Sequence, residues 1–216
     1  DLVRSRGLGD VYKRQGIYLY GSSTSSYATA TLTGTEFSGN TGNYGGAIFS
    51  NQYNDISLFE TLFDRNYSSN YGGAIYAYYY TDLYIKDSVF TNNTSYTHGG
   101  AIWMQYLYDT VSITDTTFDG NKATYGNGGA INADYYTDLD LSGLDVTNNY
   151  AYNYGGGLSR SGRGGGPARE TPWAGGAGAA SRGRSRARAT SASPASGNES
   201  RGCSAPRLVS RIFRAR

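Results

Sequence analysis

A doubled glycine followed by a small residue and an aliphatic one returns at near-constant intervals, in Gly45-Gly46-Ala47-Ile48, Gly72-Gly73-Ala74-Ile75, Gly99-Gly100-Ala101-Ile102, Gly128-Gly129-Ala130-Ile131 and Gly155-Gly156-Gly157-Leu158. The steps are 27, 27, 29 and 27 residues. A second motif, Phe-x-x-Asn, keeps phase with the first at Phe37/Asn40, Phe63/Asn66, Phe90/Asn93 and Phe118/Asn121, with Val146/Asn149 as a variant copy. A third feature, the last member of a short apolar pair (Leu32, Leu58, Ile85, Ile113, Leu141), stands five residues ahead of that Phe or Val every time. Three features in fixed phase restrict the chain to a repeat architecture.

Each period holds three short β-branched or aromatic segments separated by Asn, Asp, Gly, Ser and Thr clusters, the pattern of strands and turns. The segments are too short for helices, and a hairpin meander would need longer alternating strands. One period therefore reads as one coil of a solenoid, with each strand paired in parallel to its copy in the next coil. At about 4.8 Å per step, five coils span about 24 Å. Crossovers between parallel strands are right-handed almost without exception, so the expectation is an all-β, right-handed parallel β-helix over residues 16–158. The Asn of each Phe-x-x-Asn is expected to stack into a column whose amides bond to one another, and the paired glycines to mark a corner needing positive φ or close approach.

Composition sets the limits of this region. Residues 16–158 carry 3 Lys+Arg against 13 Asp+Glu, a net −10, and hold 21 of the 22 tyrosines. Residues 159–216 carry 12 Arg and 2 Glu, and 47 of these 58 residues are Gly, Ala, Arg, Ser or Pro. That leaves too few large apolar side chains to offset ordering entropy, so this tail is expected to be disordered. It begins within a repeat, the pattern a shifted reading frame would leave. Residues 1–15 resemble translated library adapter and are expected to be a non-native leader. An Arg-rich tail without interleaved aromatics or a surrounding fold does not make a nucleic-acid site, and the acidic repeats disfavour nucleic acid. The one cysteine, Cys203, lies in the tail, so no disulfide can brace the repeats. No apolar run reaches the ~20 residues of a membrane helix, so no membrane insertion is expected.

Period-two alternation assigns faces to the first strand. With Ile17, Ile48, Ile75, Ile102 and Ile131 inward, Tyr18, Phe49, Tyr76, Trp103 and Asn132 face outward, beside Tyr20, Asn51, Tyr78, Gln105 and Asp134. Tyr18, Tyr20, Phe49, Tyr76, Tyr78, Trp103 and Gln105 form the candidate ligand-binding strip, suited to stacking on sugar rings or gripping a protein partner. The same column would also arise from cross-strand packing alone.

Carboxylates recur before the second strand (Asp55, Asp82 and Asp138, with Thr110 in the equivalent place) and before the third (Glu60, Asp87, Asp115). Bound calcium could relieve such columns, but water can do so equally, and no Gly-rich calcium-loop repeat is present. No cofactor and no metal is expected. Catalysis would need converging carboxylates or a cation with a basic group. The repeats offer only Arg65, Lys86, Lys122 and His98, in or beside turns, so no catalytic residue is assigned. Thr29, Thr31, Thr33 and Thr35 alternate as an ice-binding surface would, but the next repeats do not continue them.

The Gly-Gly-Ala-Ile and Phe-x-x-Asn motifs resemble those of the chlamydial polymorphic outer-membrane protein repeats and related bacterial β-helix repeat proteins. The resemblance covers residues 16–158. It implies a secreted or outer-membrane, cell-surface passenger acting as an adhesin or surface-interaction scaffold toward a host or neighbouring-cell glycan or protein. Many β-helix proteins act on polysaccharides, so a lyase or hydrolase fragment lacking its catalytic coils is the alternative. The signal sequence, longer repeat array and C-terminal barrel that this family pattern expects do not appear in the chain. Open coil ends are expected to favour self-association.

Overall fold

The computed structural model describes residues 4–6, 16–23, 27–108, 110–135, 137–161 and 169–170. Most of the leader over 1–15 and most of the tail over 159–216 lie outside the described residues.

Four parallel sheets surround the core, and each coil supplies one strand to each. The first contains Ile17–Leu19, Ile48–Ser50, Ile75–Tyr78, Ile102–Gln105, Ile131–Asp134 and Leu158–Ser161. The second contains Ala28–Thr33, Asn54–Phe59, Thr81–Lys86, Thr110–Thr114 and Asp138–Ser142, with Arg169–Glu170 on its edge. The third carries the Phe motif in Glu36–Ser38, Leu62–Asp64, Val89–Thr91, Thr117–Asp119 and Asp145–Thr147, with Arg4–Arg6 on its edge. The expected registers hold, since Ile48, Ile75, Ile102 and Ile131 are partners in turn.

The three-strand coil expected from the sequence is corrected to four strands. Thr41–Tyr44, Tyr67–Tyr71, Thr94–Ser95, Lys122–Ala123 and Tyr150–Ala151 pair in parallel directly after the motif asparagines. These strands run two to five residues and carry mostly polar side chains. Period-two apolar alternation is too short to register there.

Side chains fill the interior in columns. Phe37, Phe63, Phe90 and Phe118 are fully buried, with successive ring centres 5.0, 4.5 and 4.9 Å apart and planes within 11° of parallel. Ile56, Leu83, Val111 and Leu139 line the wall from the second sheet, beside Leu58, Ile85, Ile113 and Leu141. Each such side chain contributes about 1.5–3 kcal/mol by burial.

The asparagine column is present and makes more bonds than amide pairing alone. Asn66 Nδ2 donates to Asn93 Oδ1 at 2.9 Å, and Asn93 Nδ2 donates to Asn121 Oδ1 at 2.9 Å. From Asn66 to Asn149 each Oδ1 also accepts the backbone N–H of the preceding asparagine, as Asn93 Oδ1 does from Asn66 at 3.0 Å. Each Nδ2 further donates to a motif phenylalanine carbonyl, as Asn93 does to Phe63 at 2.9 Å. One side chain thus ties three coils together.

Turn chemistry explains several polar columns. Gly34, Glu60, Asp87, Asp115 and Gly143 share one corner, all with φ between 49° and 62°. The acidic column before the third strand therefore marks a left-handed turn. In the glycine pairs the two members have different tasks. Gly99 has φ +64°, while a Cβ on Gly100 would sit 1.9 Å from the Gly129 carbonyl oxygen and 2.5 Å from the Lys122 nitrogen. Backbone of the next coil fills that space, so only glycine fits.

The 29-residue step is divided between two corners. Ile75 pairs with Ile102 at a spacing of 27, but Leu83 pairs with Val111 at 28, so one added residue lies in the turn after Gln105. Thr94 pairs with Lys122 at 28 while Gly99 and Gly128 are 29 apart, which puts the other between Lys122 and Gly128. Leu107, in the first of these turns, is fully buried.

Candidate functional site

The expected strip lies where the registers put it, on the side of the first sheet away from the isoleucines. Tyr18, Phe49, Tyr76, Trp103 and Asn132 are successive partners. Its exposure is a correction. Tyr76 is 6% and Trp103 4% accessible, and Asn132 is fully buried, so the centre of the strip cannot meet a ligand.

A second layer of side chains covers it. The residue before each left-handed glycine, Tyr44, Tyr71 and His98 in successive coils, folds back over the outward face. Tyr71 stacks on Trp103 at 4.0 Å and lies 5.8 Å from the His98 ring, while Tyr44 sits 5.5 Å from Tyr76 and 5.6 Å from Phe49. Within the lower layer Phe49 stacks on Tyr76 at 5.1 Å and Tyr76 on Trp103 at 4.5 Å. Sequence reasoning missed this cover, although a signal existed: the residue ahead of Gly-Gly is Tyr, Tyr, His, Asn and Tyr in the five copies.

Two donors of the cluster converge on one carboxylate, while the buried Asn132 Oδ1 has no hydrogen-bond partner among the described residues. Trp103 Nε1 donates to Asp134 Oδ2 at 3.0 Å, and Asn132 Nδ2 donates to the same oxygen at 2.9 Å. Burial and the neighbouring tyrosines push the Tyr76 phenol well above its ordinary pKa, so it stays protonated. His98 Nδ1 accepts the Asn127 backbone N–H at 3.0 Å, which requires the imidazole to be neutral on that nitrogen.

Burial holds His98 below its ordinary pKa, opposed by the Asp134 carboxylate. As pH falls, the unfolded chain takes up this proton before the folded one. The stability from neutral His98 is complete above the unfolded value near ~6.5 and is lost as pH falls toward the lower native value. We expect the denaturant midpoint to drop between about pH 7.5 and about pH 5.5, and to drop less in His98→Asn, which installs the residue used one coil later at Asn127. An equal drop in both proteins would show that His98 is not the titrating group.

Three members of the expected strip remain accessible on its outer edge. Tyr20 is exposed, and Tyr78 and Gln105 are half-buried. Tyr18 is exposed at one end, where its hydroxyl accepts from Asn51 Nδ2 at 3.0 Å. This edge runs into the corner between the first and second sheets, where Tyr78 lies 5.8 Å from Tyr79 and 6.1 Å from Tyr106. Tyr53, Tyr80 and Tyr108 stack there in successive coils at 5.3 and 4.8 Å, and Tyr106 stacks on Tyr135 at 5.1 Å. Tyr53, Tyr80, Tyr106 and Tyr135 all have φ between 47° and 56°, which turns the chain sharply and fans the rings outward. The corner presents ring faces and phenol hydroxyls about one strand spacing apart, a surface able to stack on flat apolar faces while hydrogen-bonding their rims.

On the second sheet a shallow, open depression is lined by Thr29, Asp55, Ser57, Asp82, Tyr84 and Ser112. Asp55 and Asp82 are register partners, whereas Asp138 pairs with Thr110. Among the described residues no group of three or more His, Cys, Asp or Glu side chains is placed to hold a metal, and no helix is long and apolar enough to cross a membrane.

Comparison with family models matches residues 10–167 to one described as a right-handed β-helix region. Comparison with curated proteins and with solved structures gives no match to either.

Proposed function

The chain belongs to the right-handed β-helix family, and from that scaffold we propose that it acts as an adhesin-type surface-interaction module of a secreted or outer-membrane bacterial protein. The observation that carries this reading is the tyrosine corner, in which Tyr53, Tyr80 and Tyr108 repeat at 5.3 and 4.8 Å beside the accessible edge of Tyr78 and Gln105. Rigid aromatic rings with polar tips lose little conformational entropy on contact, which suits them to gripping a sugar or protein surface. The net −10 of residues 16–158 favours a neutral or basic ligand over a polyanion. The likeness to chlamydial outer-membrane repeats supports the extracellular setting and a partner on a host or neighbouring cell.

Binding of the full chain to an array of neutral and acidic glycans, and to intact cells, tests the proposal. Tyr80→Ala with Tyr108→Ala removes two ring faces, each worth about 0.5–1.5 kcal/mol, so binding is expected to weaken by about fivefold or more. Unchanged binding in that double variant would reject the corner as the contact surface. Polysaccharide turnover that disappears in Asp55→Asn and Asp82→Asn would instead place the chain among the carbohydrate-active enzymes.

A further inference from the structure

A separate column of tyrosines stands on the corner after the fourth sheet. Tyr96, Tyr125 and Tyr152 occupy successive coils and are all exposed, at 48%, 56% and 63%. The Tyr125 N–H donates to the Tyr96 carbonyl at 3.0 Å, so backbone pairing fixes these two residues side by side. Their ring centres are 4.8 Å apart with planes inclined at 54°. At that separation the rings are in van der Waals contact, and their inclination already falls in the twisted range that bonded biaryls adopt. The stacked pairs Tyr80/Tyr108 and Tyr106/Tyr135, at 26° and 14°, present ring faces to each other instead. A bond between ortho carbons forms in the plane of each ring, so stacked rings must first rotate.

We propose that Tyr96 and Tyr125 form an oxidative coupling site, at which a peroxidase using hydrogen peroxide joins adjacent coils through a dityrosine bond. Each phenol gives up one electron and one proton. The two phenoxyl radicals combine through their ortho carbons, and the two ortho hydrogens return to the phenol oxygens as the rings rearomatise. One hydrogen peroxide accepts the two electrons and two protons in all, leaving two waters. The repeats contain no cysteine, so this is a covalent brace available to them where a disulfide is not. It would close a loop between residues 29 apart and so restrict the unfolded chain. Tyr125 and Tyr152, at 6.1 Å and 53°, offer a second, more distant step along the same column.

The test is peroxidase and hydrogen peroxide on the dilute full chain, read by dityrosine fluorescence, by monomer mobility on a denaturing gel, and by mass mapping of peptides that have lost two hydrogens. Two rings held in contact couple far faster than rings meeting by diffusion, so Tyr125→Phe, which removes both steps of the column, should lower the cross-linked monomer by about tenfold, and Tyr96→Phe, which leaves the more distant Tyr125–Tyr152 step, should lower it by less. Tyr84→Phe, at an exposed tyrosine on the second sheet, should leave it unchanged. Both phenylalanine variants keep their rings, so the fold is retained. Undiminished monomer coupling in both variants, coupling only between molecules, or no coupling would each overturn the proposal.

Discussion

Replacing Asn93 by alanine is expected to lower stability by about 4 kcal/mol or more, read as a denaturant midpoint shift. The side chain is fully buried and makes four bonds: it accepts the Asn66 N–H and Asn66 Nδ2, and it donates to the Phe63 carbonyl and to Asn121 Oδ1. Alanine withdraws a partner from all four groups at once. The Asn66 N–H loses its acceptor outright, at about 1–3 kcal/mol, while Asn66 Nδ2 keeps the Phe37 carbonyl and Asn121 Oδ1 keeps the Asn93 N–H, so the other three bonds count at about 0.5–1.5 kcal/mol each and the middle of these ranges gives the stated loss. Asn149 supplies the internal comparison, because it bonds back to Asn121 and Phe118 but is only part-buried at the last asparagine step. Water can reach that site, so Asn149→Ala should cost less than half as much. Equal losses at the two positions would show that amide stacking is not what holds the coils in register.

Trp103→Ala is the second large effect, and it separates a binding role from a packing role. Trp103 is nearly inaccessible, stacks on Tyr71 and Tyr76, and donates to Asp134. Truncating a buried tryptophan costs about 3–5 kcal/mol, with about 0.5–1.5 kcal/mol more for each lost ring pair. Asp134 keeps the Asn132 amide, so its carboxylate is not stranded. We expect the thermal transition to fall sharply, with any binding change following from partial unfolding. A variant that keeps wild-type stability but loses a ligand would return Trp103 to the contact surface.

The interior was legible because its signals are strong and local. Each inward Ile, Phe and motif Asn recurs at one offset, and a parallel coil places equal offsets in contact, so register followed from spacing alone. The fourth strand was not legible, since two to five polar residues carry no periodicity. Outward aromatics were read correctly for direction and wrongly for exposure. Strand alternation says which way a side chain leaves the sheet, and nothing about what folds over it from elsewhere. Tyr44, Tyr71 and His98 come from the preceding corner, where the left-handed glycine sets their path. The tyrosine corner at Tyr53, Tyr80 and Tyr108 keeps the 27- and 28-residue steps of the second sheet, but its residues sit in turns, where strand alternation assigns no face.

Where the longest step puts its two added residues decides how this scaffold can vary. Both fall at corners, one after Gln105 and one between Lys122 and Gly128, while the sheets on either side keep their pairing. Changes of length are thereby confined to the bends between strands. Such a chain could vary its outer surface, or carry a grafted epitope, with its inner columns unaltered.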